Sequence, residues 1–594
     1  MLENSKIRIT WITFVLVTFA IFVFLYRWQV IDYKYYTALA ASRTKVENDT
    51  GLRGKILSSD GAVLAYSVPA YDVYVYRVEL NDAITKGKES KDEFATKVSE
   101  VLGLDRLKLL SDIDTSPSNY FRIASKVDLD TKNRLLLLKR DKQNTKSLEG
   151  FIVETTEKRV YPDNTFASHV LGYVGKDTDG NDRPYNGVEG YWAGEMTPQS
   201  GSATIENDRN GNIILGGEFD TFEKKNGRDV RLTINRGVQS ILEKKLKEGS
   251  IAYEAEYTSG IVMDPKTGKI LAMAMYPDFD PNTYFKSEIG ILNNRLVSDP
   301  YEAGSIMKAV TTASAIDAGT VTPETILFKS HNGCIEIADE RDNGKKWKIC
   351  TAKSVPSRGP KNVIQMLQTS DNIGAYFVAK SMGLETMESY FRKFGIGKTT
   401  EVGLSEESTS SLKKLSQWND IDMATYAYGH GFTVTPIQAI SAFATIANKG
   451  MRMKPQIVEE VIDGSSVIPV TQKLEETVIK EDSAVITSQM LKQAFTYNLK
   501  INGNTKKYIN ELSQYSIAGK SGTAQIARSD GPGYYTDQVN TTYVGFDASP
   551  DSKFVMLIKL HKPKDADFSA SNVFPLWVET FMELKDLLGV EKNK

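Results

Sequence analysis

Gly304-Ser305-Ile306-Met307-Lys308 opens a helical segment whose apolar positions, Ile306, Ala309, Val310 and Ala313, recur until Gly319, a candidate C-terminal cap. Residues three apart on a helix lie on one face, so Ser305 and Lys308 meet. A serine hydroxyl is a weak nucleophile until a neighbouring base takes its proton, and a lysine is such a base only when neutral. The positive end of the helix dipole, partial burial and a second cation each disfavour the ammonium form, so the Lys308 pKa is expected to lie below its ordinary value. The chemistry such a pair supports is acyl transfer through a covalent acyl-serine.

Spacing alone does not single out this pair, because Ser42 with Lys45, Ser410 with Lys413 and Ser411 with Lys414 match it too. Order and company do. Ser370-Asp371-Asn372 follows a helical run, and Lys520-Ser521-Gly522-Thr523 falls on an expected strand beside Tyr543 to Phe546. S-x-x-K, S-x-N and K-[ST]-G in that order form a known catalytic set. Taken singly, the second reads as a polar turn or cap and the third as a solvated lysine before a turn. A phosphate loop at Lys520 fails, since its earlier glycine would stand where Gln514 does. His430 lies between two glycines, but without a G-x-S-x-G elbow it reads as structural and stays outside the catalytic set.

The elements that must position these groups can be read along the chain. Ile9 to Tyr26 is an uncharged apolar run of 18 residues, nearly a bilayer core long at about 1.5 Å per residue. It reads as a transmembrane anchor; a cleaved signal peptide ending near Ala38-Leu39-Ala40 would place its cut far beyond the run. Lys6 and Arg8 favour a cytoplasmic tail over residues 1–8, with Arg27 weakening the asymmetry. Residues 27–52 form a polar stalk. Arg53-Gly54-Lys55-Ile56-Leu57 with Asp60-Gly61 opens a first domain, 53–226, whose charged helical stretch Asp92 to Gln143 presents solvated faces such as Lys86 to Glu100. A second domain, 227–590, begins with a strand at Val230 to Ile234 and a helix from Arg236 to Leu246. Two hairpin signals, around Asp264 to Gly268 and between Phe546 and Phe554, enclose a long helical middle. An α+β fold follows: an antiparallel sheet built from both ends of the domain and flanked by helices.

With 594 residues, 41% apolar and 25% charged, the chain holds two or three soluble-type domains. A net charge of -2 and no basic stripe argue against nucleic-acid binding. The four histidines and the cysteines Cys334 and Cys350 lack zinc-ligand spacing. Placement outside the cytoplasm permits a Cys334–Cys350 disulfide, and two free thiols remain equally open.

The ordered motifs are the signature of penicillin-recognising serine enzymes, and the chain resembles the class B penicillin-binding proteins, monofunctional transpeptidases, nearly end to end. The likeness includes the anchor, Arg53-Gly54-Lys55-Ile56, Tyr161-Pro162 to Gly175 and Gly187-Val188-Glu189-Gly190. It continues with Tyr301-Glu302-Ala303-Gly304, Tyr428-Gly429-His430-Gly431, Val434-Thr435-Pro436-Ile437-Gln438 and Ala447-Asn448-Lys449-Gly450. Proline is usual where Ala303 stands and glutamine where His430 stands, which puts local geometry in question. The resemblance implies a pedestal (dimerisation) domain and a penicillin-binding transpeptidase domain on a single-pass anchor in a bacterial cell membrane, with the catalytic domain outside.

It further implies that Ser305 attacks D-alanyl-D-alanine in a stem peptide, expels D-alanine and passes the acyl group to an amine, and that β-lactams acylate the same serine. The backbone N–H groups of Ser305 and Thr523 would hold the oxyanion. Ser370 and Asn372 would relay protons, and Lys520, Ser521, Gly522 and Thr523 would form the carboxylate-binding strand. No metal or organic cofactor is implied. Implied partners are a polytopic lipid-II glycan polymerase and division-complex proteins, septal use being favoured over side-wall use. The competing functions are a carboxypeptidase or β-lactamase-like hydrolase, against which the pedestal argues, and a non-catalytic scaffold or β-lactam sensor, for which eight cytoplasmic residues leave little room.

Overall fold

The apolar run from Ile9 to Tyr26 lies within helix α1, Leu2–Tyr26, continued by a π-turn at Arg27–Ile31, and its Thr10 and Thr13 hydroxyls donate back to the Lys6 and Ile9 carbonyls. The helix is long and apolar enough to cross a membrane. The computed structural model describes residues 2–33, 44–139, 148–206, 220–329, 331–339, 344–351, 359–564 and 569–593. Ala38-Leu39-Ala40, part of the 27–52 stalk, Ser42 of the Ser42/Lys45 pair and residues 140–143 of the charged stretch lie outside them.

The chain divides into two compact units. The first comprises residues 1–53, 67–158 and 197–227. In it, residues 71–76 of strand β1 (Val63–Tyr76) pair antiparallel with β2 (Tyr120–Val127). Helices Lys91–Leu102 and Arg106–Thr115 supply Phe94, Val98, Leu109 and Ile113 to a core shared with Val73, Val75, Leu80 and Phe151. Ser90 caps the Lys91 helix by accepting from Glu93 N, and Gly103 ends it in the left-handed conformation. Phe94 and Val98 turn inward while Lys97 pairs with Glu93 on the wet side, which is how a charged run becomes a helix face.

The second unit comprises residues 54–66, 159–196 and 228–594. Its centre is a five-stranded antiparallel sheet in the order β4-β3-β7-β6-β5. Here β3 is Tyr257–Met263, β4 Ile270–Tyr276, β5 Ile517–Ala527, β6 Tyr534–Asp547 and β7 Val555–His561. The first two strands and the last three come from opposite ends of the segment, as the hairpin signals require. Side chains alternate across the sheet. Val262, Tyr543 and Ile558 pack with Leu242 and Trp577, from the helices Arg236–Ala252 and Val573–Leu584. Ile261, Val544 and Leu557 face the other way, into a larger core with Val310 and Phe443. A Cβ at Gly545 would lie 2.5 Å from the Trp577 ring, so glycine there lets the indole lie flat on the strand.

Among the described strands β5 pairs with β6 alone, which leaves its outer backbone edge without a strand partner. Residues 159–196 are closed on themselves by a buried ion pair, Arg159 Nε to Glu189 Oε1 at 2.7 Å, and are tied to the later part of this unit by Gly187 N donating to Glu406 Oε2 at 2.7 Å. The Arg159 guanidinium also donates to the Gly54 carbonyl at 2.7 Å.

Candidate active site

Ser305 sits on a 3-10 turn, Gly304–Ile306, that runs into the helix Met307–Asp317. Glycines let backbones from distant parts of the chain close around that turn. Gly304 has φ +62°, and a Cβ there would lie 2.5 Å from the Thr523 carbonyl oxygen. A Cβ at Gly522 would meet Ala303 O at 2.7 Å, and one at Gly429 would meet Gly304 O at 2.2 Å. The turn is then tied down by Gly304 N donating to Gly429 O (3.0 Å) and by reciprocal bonds of 2.9 Å between Tyr301 and Val434. Ala303 has φ -75°, inside the range a proline ring enforces, so the departure from the usual proline leaves the turn's shape intact.

Lys308 is 0% exposed, and its Nζ lies at the meeting point of two motifs. It donates to the Ser370 carbonyl at 2.7 Å and to Asn372 Oδ1 at 2.8 Å. Ser305 Oγ stands 2.9 Å from the same nitrogen and Ser370 Oγ 3.2 Å. A neutral amine has two N–H bonds and one lone pair. With both N–H bonds committed to carbonyl-type acceptors, the lone pair is left for the Ser305 proton. Burial, then the Lys520 and Lys361 cations, hold the Lys308 pKa well below that of an ordinary lysine, against an opposing pull from Asp371.

Ser370 closes the helix Val363–Thr369 in the left-handed conformation, φ +55°, which turns its carbonyl and hydroxyl back toward Lys308. Asp371 then caps the helix Asn372–Met382, accepting from Ile373 N at 2.9 Å. It is fully buried, and it takes bonds from Lys361 Nζ (2.8 Å) and Thr351 Oγ1 (2.5 Å). Asn372 Nδ2 donates to Cys350 O at 3.0 Å, which orients its Oδ1 toward Lys308. Cys350 and Cys334 are register partners on the hairpin Cys334–Asp339/Lys345–Cys350 and form a disulfide, the pairing the sequence left open.

Lys520, 1% exposed, extends the network: its Nζ donates to Ser370 Oγ (3.1 Å) and to Ser521 O (3.0 Å). Burial pushes its pKa down to about 7. The five residues Ser305, Lys308, Ser370, Asn372 and Lys520 are thus one hydrogen-bonded group, with Ser521, Gly522 and Thr523 continuing along β5. Thr523 Oγ1 accepts from Ser569 N at 2.9 Å. In a strand a residue's N–H and C=O point to the same side. Since the Thr523 carbonyl faces Gly304, its N–H faces the nucleophile turn. Ser305 N–H is among the first N–H groups of the turn and helix, which lack intrahelical partners.

The other serine–lysine pairs are accounted for differently. Ser410 Oγ accepts from Gly397 N at 2.8 Å, and Lys413 is half-exposed and paired with Asp422 at 2.7 Å. Burial pushes the His430 pKa down to about 4, in keeping with its place outside the catalytic set. The supporting roles of Lys361, Thr351 and Asp371 were not read from sequence. The available signal was Asp371 itself, since a buried carboxylate between two catalytic residues requires a cation somewhere.

Comparison with known proteins adds two family matches, "Penicillin binding protein transpeptidase domain" over residues 258–575 and "Penicillin-binding Protein dimerisation domain" over residues 48–232. Stage V sporulation protein D of Bacillus subtilis (strain 168) is 27% identical over 552 residues, 91% of this chain and 79% of that protein. Peptidoglycan D,D-transpeptidase FtsI of Escherichia coli (strain K12) is 25% identical over 523 residues, 88% of this chain and 81% of that one. The crystal structure of penicillin binding protein 2X from Streptococcus thermophilus shares the fold, with a TM-score of 0.69 at 23% identity, covering 92% of this chain and 81% of that one.

Proposed function

Because the chain belongs to the penicillin-binding protein transpeptidase family, whose profile spans residues 258–575 of 594, we propose that Ser305 is the acylated nucleophile of a peptidoglycan D,D-transpeptidase and Lys308 its base. The observation that carries this reading is the 2.9 Å contact between Lys308 Nζ and Ser305 Oγ, with the lysine's N–H bonds already spent on Ser370 O and Asn372 Oδ1.

Lys308 takes the Ser305 proton as Oγ bonds to the penultimate D-alanine carbonyl carbon. The developing oxyanion falls between the N–H groups of Ser305 and Thr523, donors fixed before the charge appears. As the peptide bond breaks, the leaving nitrogen takes a proton from Ser370 Oγ, which recovers one from Lys308. Lys520, Ser521 and Thr523 hold the terminal carboxylate, where charge-assisted bonds are strongest. An acceptor amine then attacks the acyl-serine, gives its proton back along the same path and restores Ser305.

Residues 53–226 act as the pedestal and 227–590 as the transpeptidase domain. Helix α1 anchors the chain in the bacterial membrane, Lys6 and Arg8 keeping the short tail inside and the catalytic domain outside. Septal use, alongside a polytopic lipid-II glycan polymerase and division-complex proteins, follows from the division-type resemblance.

Two measurements test the reaction. A reporter penicillin is expected to label the full-length protein on the peptide carrying Ser305, seen by mass spectrometry. A thioester analogue of the donor stem, supplied with a D-amino acid, is expected to give the aminolysis product at the expense of the free acid. Free acid alone, with and without the acceptor, would replace the transpeptidase by a hydrolase.

A further inference from the structure

Glu302 stands three residues before the nucleophile, and the mechanism above gives it no task. Its Oε1 accepts from Gly431 N at 2.9 Å and from the Tyr534 hydroxyl at 2.8 Å. Its Oε2 has almost no exposed surface and no hydrogen-bond partner among the described residues. A carboxylate oxygen kept from water without a donor is costly, and such exceptions call for a reason. Burial pushes the carboxyl's pKa up, and the two bonds to Oε1 pull against it.

Among the described residues no cationic side chain pairs with Glu302. The Tyr428 and His430 rings lie 5.4 Å apart and the His430 and Tyr534 rings 6.2 Å apart. Arg528, at the tip of the same hairpin, is already bidentate to Asp530, with both bonds at 3.0 Å. Among the described residues, the negative charge of Glu302 is therefore met by two neutral donors at Oε1 and by no cation.

Its place follows from the direction of the donor, and here the inference rests on the proposed transpeptidase reading. With the terminal carboxylate at Lys520 and Ser521 and the scissile carbonyl at Thr523 N–H, the donor lies antiparallel along the free edge of β5. Its preceding residues then pass Ala524 and Gln525 at about 3.3 Å per residue. Gly304 faces Thr523 and Ala524, and Tyr534 is the register partner of Ala527. The Glu302–Tyr534 pair thus stands on the side where the donor continues, toward the residue before D-alanyl-D-alanine.

We propose that Glu302, seated by Tyr534 and Gly431, recognises a side-chain ammonium on the residue preceding the D-alanyl-D-alanine of the donor stem. An ammonium supplies the missing donor to the carboxylate and the missing opposite charge, which a neutral side chain does not. A stem whose amine has already been acylated carries no charge there and is passed over as a donor, so the site selects stems not yet joined through that amine.

The test uses two thioester donors that differ only in a free or an acetylated side-chain amine at this residue. For the full-length protein, kcat/KM of acylation is expected to be about tenfold higher with the free amine, the scale of one charge-assisted hydrogen bond. Glu302→Gln is expected to bring the ratio close to one, and Glu302→Asp, which keeps the charge but retracts it by a methylene, to bring it between the two. Because the reading is a ratio within each protein, a general loss of activity cancels, and labelling by a reporter penicillin shows which variants keep a folded site. Equal rates of the wild-type protein with both donors, or an unchanged ratio in Glu302→Gln, overturns the proposal while acylation itself persists. Acylation by neither donor nor penicillin strikes instead at the transpeptidase reading.

Discussion

Lys308→Met is expected to slow acylation by a reporter penicillin about 10²–10⁴-fold, the usual contribution of a general base, in a protein that stays folded. Methionine fills a similar length of buried space without the lone pair, so Ser305 Oγ keeps its place on the turn and loses its proton acceptor. The parent's acylation rate is expected to rise with pH through the depressed Lys308 pKa and then level, and the variant's profile to lose that limb. The stability effect has the opposite sign. The folded pKa lies below the unfolded one, so between the two values the unfolded chain binds more protons and stability climbs with pH. At neutral pH the buried lysine therefore costs the fold stability, and methionine removes that cost. The donors lost by Ser370 O and Asn372 Oδ1 offset part of the gain, so the melting temperature is expected to hold or rise. Stopped-flow acylation from pH 5 to 10 with a thermal melt at each end decides it; a variant labelled at the parent's rate removes Lys308 as the base.

How much of this was legible in the sequence depends on the range of the interaction concerned. The α+β architecture was legible because turn residues such as Asp264 to Gly268 act locally, and two hairpins at opposite ends of a segment leave few ways to build one sheet. Ser305 was legible through company rather than spacing: Ser410 and Ser411 share the spacing, and only the order of the three motifs separates them. What stayed hidden is what long-range packing decides. Neither the left-handed turn at Ser370 nor the bond from Asn372 to Cys350 O leaves a local mark. Residues 54–66 and 159–196 read as turn-rich stretches of the first domain, yet they pack in one unit with residues 228–594. The Arg159–Glu189 pair that closes the second stretch on itself is an ordinary charge pattern until both partners are buried. Residue type at Ala303 carries no record of its backbone angle, and φ -75° is one that proline would also hold.

Asp371 links the site's chemistry to its stability, and Asp371→Ala is expected to cost about 3–5 kcal/mol, the range for breaking one side of a buried ion pair. Truncation strands Lys361, whose side chain is 4% exposed and whose Nζ lies 2.8 Å from the lost carboxylate. It also removes the acceptor for Thr351 Oγ1, the helix cap over Ile373 N and Gly374 N, and the carboxylate 3.5 Å from His331 Nε2. Burial alone would raise the Asp371 pKa, but the Lys361 bond and the Thr351 bond outweigh it and hold it below the ordinary value. A carboxylate depressed in the fold stabilises above its unfolded pKa and loses that contribution as pH falls through the folded value. The difference between parent and variant is therefore expected at neutral pH and to shrink in strong acid. The catalytic consequence runs through Lys308. Asp371 is the charge that draws its pKa up against burial, so removing it moves the acid limb of acylation to lower pH even as Ser370 and Asn372 lose their anchor and the plateau falls. Urea melts at pH 7 and pH 3 together with the pH–rate profile read both effects. An unchanged midpoint with an unmoved limb would show that neither the fold nor the base depends on this carboxylate.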